Sequence, residues 1–126
     1  MTELRKGRIG WIDLTVDDAD VVRDFYRDVV GFETSTVAMG DYDDYCLHPP
    51  GSDPVAGVCH ARGGNVGLPP VWLVYFTVED LDTALAACRA RGGEIVVGPK
   101  STGEARYAVV RDPAGAASAL FQPAPG

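Results

Sequence analysis

The sequence predicts an α+β fold: two tandem βαβββ modules related by a pseudo-twofold axis, with curled mixed sheets around a shared cavity and the helices outside. Three observations carry this. The segment Trp11-Ile12-Asp13-Leu14-Thr15-Val16 alternates with the period of a half-buried strand. A stretch with helical spacing follows it at once. Both then return 62 positions later, where Thr15 meets Thr77, Val16 meets Val78, Asp18 meets Asp80, Asp20 meets Asp82, Arg27 meets Arg89, Gly31 meets Gly93 and Tyr45 meets Tyr107. These identities fall at strand ends, helix caps and one sheet aromatic, where a structural repeat leaves its mark.

The first strand offers Ile12, Leu14 and Val16 to a core and turns Trp11, Asp13 and Thr15 the other way. Asp17 or Asp18 caps the helix that follows, and acidic residues suit the positive end of its dipole. Val22, Phe25, Tyr26 and Val29 recur at spacings of three and four, so they form the face expected to be buried. Gly31 ends the helix. Shorter strands are expected near 32–37, 42–47 and 55–60. The segment "HPPGSDP" cannot be a strand interior, because proline has no amide to donate. The linker "ARGGNVGLPP", residues 61–70, is glycine-rich and then stiffened by two prolines.

The second half repeats this order. A strand covers 73–78, Glu79 and Asp80 open a helix over about 81–91, and Gly92-Gly93 end it. Strands follow near 94–98, 105–111 and 116–122. The expected organisation is one domain over 1–126, with module one at 9–60, the linker at 61–70 and module two at 71–122. Neither module alone is expected to bury enough surface to be stable.

Composition narrows the partners. Hydrophobic residues make up 46%, and 18 acidic against 11 basic residues give a formal charge of -7. With no basic run, the phosphate backbone of a nucleic acid is not an expected partner. No apolar stretch reaches membrane-spanning length, so no membrane is expected either. The start "MTELRKGRIG" has no apolar signal core. Cys46, Cys59 and Cys88 are odd in number and lack zinc-like spacing, which reads as free thiols in a reducing, cytoplasmic setting.

The segments "LTVDDADVVRDFYRDVVGFE", "FTVEDLDTALAACRARGGE" and "VVRDPAGAASALFQ", with the "DPAG" turn at 112–115, resemble the vicinal oxygen chelate superfamily. That superfamily includes glyoxalase I, bleomycin-resistance proteins and extradiol dioxygenases. The resemblance runs over about residues 9–122. More narrowly, "GWIDLTVDD" and "PPVWLVYFTVEDLD" are similar to a glyoxalase-like subgroup common in actinobacteria. The resemblance implies a ligand cavity lined by the side of the first strand that carries Trp11 and Asp13. It also implies four metal-ligand positions, one on the first and one on the last strand of each module. Here those positions read Trp11, Gly57, Leu73 and Ala119. None of these side chains binds a divalent metal, so no metal and no other cofactor is expected.

Alternation and the repeat put Trp11, Asp13, Leu73, Tyr75, Ala119 and Phe121 on the inward faces, with Tyr45 and Tyr107 as matched phenols. Trp11 reads as a stacking platform for a flat ligand or as a plug in the place of the metal. Asp13 reads as a ligand anchor or base, or as a rim carboxylate paired with an Arg. The three Tyr read as hydrogen-bond donors to a ligand or as ordinary sheet packing. Cys59, which matches Phe121, reads as a small apolar lining residue. His60 points away from that face, toward the helix or an edge, and His48 sits in the Pro-rich turn.

The function expected is binding of a small, partly aromatic or apolar molecule by sequestration, as the resemblance to bleomycin-resistance proteins implies. The alternative is a lyase, isomerase or dioxygenase-like enzyme using Asp13 or a displaced metal site. A structural dimer with a vestigial cavity is the third reading. No residue is assigned as catalytic. The resemblance also implies a homodimer, with modules paired within one chain or exchanged between chains.

Overall fold

The computed structural model describes residues 6–125. The elements run β1 Ile9–Val16, α1 Ala19–Val30, β2 Glu33–Ala38, β3 Asp43–His48 and β4 Ala56–His60, then a 3-10 turn at Gly63–Asn65 in the linker. The second series is β5 Trp72–Thr77, α2 Leu81–Ala90, β6 Glu94–Thr102, β7 Ala105–Arg111 and β8 Ala117–Gln122. This is the expected βαβββ order, twice. β6 runs further than expected and crosses Pro99 with register shifts, which an edge strand tolerates because its outer amides need no partner.

Two compact units result. Of the described residues, one holds Ile12–Trp72, and the other takes 73–125 together with 6–11. β1 is therefore divided between them. Its early part belongs with β5 because Gly7 N–H donates to Thr77 O (2.7 Å) and Thr77 N–H to Arg8 O (2.8 Å).

Within the first unit the strand order is β2-β3-β4-β1, with β1 and β4 parallel and the other pairs antiparallel. Asp18 caps α1 by accepting from Val21 N–H (3.2 Å), and Gly31 ends it in the left-handed region at φ 91°. The core under α1 is Ala19, Tyr45, Leu47, Ala56 and Val58, with Ile12, Val16, Val22, Tyr26 and Trp72 packed against it.

The second unit repeats this as β5-β8-β7-β6, again with its first and last strands parallel. Asp80 caps α2 by accepting from Thr83 N–H (3.2 Å), and Gln122 Oε1 accepts from Leu81 N–H (2.7 Å). Leu81, Leu85, Ala108 and Val110 form its core, joined by Val78, Cys88, Ile95 and Leu120. The turn at 112–115 closes on Asp112, whose Oδ1 accepts from Ala114 N–H (2.8 Å) and Ala116 N–H (3.0 Å).

Two expected faces differ. In α1, Val22 and Tyr26 turn inward, but Phe25 is 54% and Val29 65% exposed. A helix shows its sheet a stripe about 100° wide. Ala19, Val22 and Tyr26 already fill it, and Phe25 and Val29 fall on its flank. In β5, alternation expects Val74, Phe76 and Val78 as the core face; Val78, just past the strand, joins the α2 core, but Phe76 is 37% exposed, whereas Leu73 and Thr77 are buried.

Candidate functional site

Each sheet has one face covered by its helix and one free of it. In the second unit, Tyr75 lies beside Ala119 and Ala119 beside Val109. Thr77 lies beside Phe121 and Phe121 beside Tyr107. Residues in register share a face, and Leu73 is one pleat before Tyr75. So Leu73, Tyr75, Tyr107, Ala119 and Phe121 stand together on the face opposite α2. It is mostly apolar: Leu73, Val109 and Ala119 are fully buried, and the two phenols and the buried Thr77 hydroxyl are its polar points.

The helix-free face of the first unit is of another kind. Asp13 lies beside Gly57, Gly57 beside Cys46, and Cys46 beside Ser35, while Thr15 lies beside Cys59. The Cys59 thiol is 3.6 Å from both carboxylate oxygens of Asp13. Burial, then the negative charges of Asp13 and Asp44, push that thiol far up. Burial also raises Cys46, against the pull of a hydrogen bond with Ser35. Neither thiol is a thiolate nucleophile at neutral pH. At the outer edge, His48 Nδ1–H donates to Ser52 O (3.0 Å), which leaves Nε2 to accept from the Ser35 hydroxyl (2.6 Å). Trp11 is half-buried and stands two residues before Asp13 on β1.

Tyr45 does not belong to this face. It pairs with Val58 and packs under α1, its hydroxyl donating to Asp20 and its ring lying under the Arg23 guanidinium at 4.3 Å. The gapless match of Tyr45 with Tyr107 is out by one residue. Leu14, Val58 and Tyr45 are neighbours in register, and their counterparts are Phe76, Leu120 and Ala108. The shift is 62 for Leu14 and Val58 but 63 for Tyr45, because Val58 follows its β3 partner Tyr45 by 13 residues whereas Leu120 follows its β7 partner Ala108 by 12. A one-residue slip turns every side chain of a strand to the other face. The same slip brings Cys46 and His48 to the helix-free face. The sequence held no local signal for either, since their positions depend on the pairing of β2, β3 and β4.

His60 lies on the helix side as expected, its Nδ1 near Asp43 O (2.8 Å) and its Nε2 3.8 Å from Asp20 on α1. All three cysteines are free.

The four positions where the resemblance implies metal ligands hold an indole, a bare backbone, an isobutyl group and a methyl group. Leu73 and Ala119 are 1% and 0% exposed, packed as core residues. No divalent metal fits that donor set. Among the described residues no group of three or more His, Cys, Asp or Glu converges to hold a metal ion elsewhere.

This fold agrees with what the chain is similar to. The family model for the Glyoxalase/Bleomycin resistance protein/Dioxygenase superfamily matches residues 8–119, and the chain belongs to that superfamily. CFP32 of Mycobacterium bovis, whose name marks it provisionally as a glyoxylase, is 32% identical over 120 residues, which cover 94% of this chain and 45% of that protein. The anthracycline biosynthesis protein DnrV of Streptomyces peucetius is 30% identical over 135 residues, 97% of this chain and 49% of its own. The chain thus spans about half the length of these curated relatives. Methylmalonyl-CoA epimerase of Streptomyces coelicolor, solved with 2-nitronate-propionyl-CoA, shares the fold with a TM-score of 0.57 at 18% identity, over 96% of this chain and 100% of that one. Among the described residues no helix is long and apolar enough to cross a membrane.

Proposed function

We propose that this chain binds a small, partly aromatic or apolar molecule without a metal, in the cytoplasm. The observation that carries the reading is the helix-free face of β5, β8 and β7. Where metal ligands are implied, Leu73 and Ala119 form its packed apolar floor, and Tyr75, Tyr107 and Phe121 are its partly exposed groups. An apolar face with a few phenolic hydroxyls suits a flat organic ligand. Trp11, which belongs to the same unit, supplies a stacking ring. Holding a ligand this way requires no nucleophile, in keeping with the raised thiols of Cys46 and Cys59. The name of DnrV guides the choice of probe.

The test is fluorescence titration with 1,4-dihydroxyanthraquinone in a Trp72→Phe background, which leaves Trp11 as the reporter of the two Trp in the chain. Quenching should saturate equally with and without EDTA, and Phe121→Ala should weaken binding about tenfold. Saturable binding that vanishes with EDTA and returns with zinc or nickel would overturn the metal-free reading. No saturable quenching by this probe or by a panel of smaller aromatic acids and amines would overturn the binding reading.

A further inference from the structure

The edge strand β6 shifts register against β7, and its counterpart β2 does not shift against β3. β2 pairs with β3 residue by residue, from Glu33 with His48 to Ala38 with Asp43, so the fold does not require a bulge at this edge. In β6, Val97 pairs with Val109 and Lys100 with Tyr107, so three steps along β6 match two along β7. A straight strand would turn Val97 and Lys100 to opposite faces. The extra residue turns Lys100 to the face of Val97, because a bulge re-aims the side chain beyond it. Gly98 makes the turn possible: it stands at φ 93°, and a Cβ there would lie 2.9 Å from Tyr107 O and 3.2 Å from Ala108 Cα. The result is a row across the helix-free face of the second unit: Lys100, Tyr107, Phe121, Thr77. Lys100, Tyr107 and Phe121 are all partly exposed. At the matching places the first unit has Val37 beside Asp44 and Cys59 beside Thr15, an acid where the second unit offers an ammonium and a phenol.

We propose that Lys100 selects the charge of the ligand, and that the molecule held on this face is a planar aromatic acid whose carboxylate meets the Lys100 ammonium and the Tyr107 hydroxyl while its rings cover Phe121. The proposal rests on the ligand-binding reading and names the class of ligand it takes. Paired residues on one sheet face have Cβ atoms about 5 Å apart, a gap that one carboxylate spans. The ammonium and the phenol both donate, and the two carboxylate oxygens can accept from each. Phe121, next in the row, gives the rings an apolar surface. With a formal charge of -7 the chain as a whole repels anions, so an acid is held only where a cation meets it locally, whereas a neutral ring needs none. Arg111 lies on this face too, beyond Val109, but it pairs with Glu94 and donates to Gly115 O (3.2 Å) at its own turn. A lysine also guards an edge strand against pairing with another chain. That task is met with the side chain on either face and accounts for neither the bulge nor the phenol beside it.

The experiment is calorimetric titration of the 126-residue chain at neutral pH with three probes that share one ring system: anthraquinone-2-carboxylate, anthraquinone-2-carboxamide and 2-(aminomethyl)anthraquinone. The carboxylate should bind about tenfold more tightly than the carboxamide, and the amine most weakly. Lys100→Met should bring the ratio of carboxylate to carboxamide affinity to about one, and Lys100→Arg, which keeps the charge, should preserve the preference. Thermal unfolding checks the fold of each variant, and the three probes on the parent chain decide the question even where a variant does not fold. Equal affinity for carboxylate and carboxamide, a preference for the amine, or a carboxylate preference that survives Lys100→Met would each overturn this proposal and leave the binding reading standing. Failure of all three probes to bind would remove the binding reading and this proposal with it.

Discussion

In the second module, α2 buries Leu81 and Leu85 against Ala108 and Val110. In the first, α1 fully buries only Ala19, and the place that matches Leu85 is Arg23. Beside the packing of Ala19, Val22 and Tyr26, the first helix is held by polar stitches: the Tyr45 hydroxyl to Asp20, Arg23 over the Tyr45 ring, and Trp72 Nε1–H to the Tyr26 hydroxyl (3.1 Å). The helix-free faces differ in the same direction. One presents Leu73, Tyr75, Ala119 and Phe121, the other Asp13, Cys46, Cys59 and Ser35. A repeat keeps what its fold requires, namely capped helices, strand order and a filled interface, and leaves open whether dispersion or hydrogen bonds fill it. Apolar burial stabilises more per side chain, and polar stitches are more sensitive to geometry and pH.

This contrast can be broken at several points. The largest effect is expected for Leu85→Ala, at about 2–5 kcal/mol from lost burial and the cavity left behind, measured by urea unfolding. The matching Arg23→Ala should cost about 1 kcal/mol or less. Equal losses would mean that the two helices are anchored alike.

The next effect is alkaline. The Cys59 thiol is raised in the folded state by burial and by Asp13, so folding favours its protonated form. Its contribution is full below the ordinary thiol value of about 8.5 and is lost as pH rises above it, by up to about 1.4 kcal/mol per pH unit. Unfolding measured from pH 8 to 9.5 should show this loss, and Cys59→Ala should flatten it. An unchanged slope in the variant would place the titration elsewhere.

A smaller loss is expected from Tyr45→Phe, about 1 kcal/mol for the hydrogen bond to Asp20, whereas Tyr107→Phe should be near neutral for stability. If Tyr107→Phe costs more, the two phenols share a role and the register slip in β3 is wrong. The smallest effect is for Phe25→Ala, under about 1 kcal/mol by urea unfolding, because the ring is already half in water.

Element order, both N-caps, the turn at 112–115 and the split into two repeats were legible because each rests on neighbours in sequence. Asp18 reaches Val21, Asp80 reaches Thr83, and Asp112 reaches Ala114 and Ala116. Much of the candidate site was legible for a related reason. A strand's side chains alternate, so once β5, β7 and β8 were found, Leu73, Tyr75, Tyr107, Ala119 and Phe121 had to share a face if the register held. That condition is non-local. In β3 one extra residue between the partners Tyr45 and Val58 reverses the faces, moving Tyr45 under the helix and bringing Cys46 beside Gly57. Helical periodicity likewise marked α1 as amphipathic, but only its packing on the sheet decided that Val22 and Tyr26 lie inward while Phe25 and Val29 face water. Caps, turns and periods are set by contacts within a few residues, so the sequence determined them by itself. Which face a strand or helix presents depends on what pairs with it from far along the chain, and only the tertiary structure decided that.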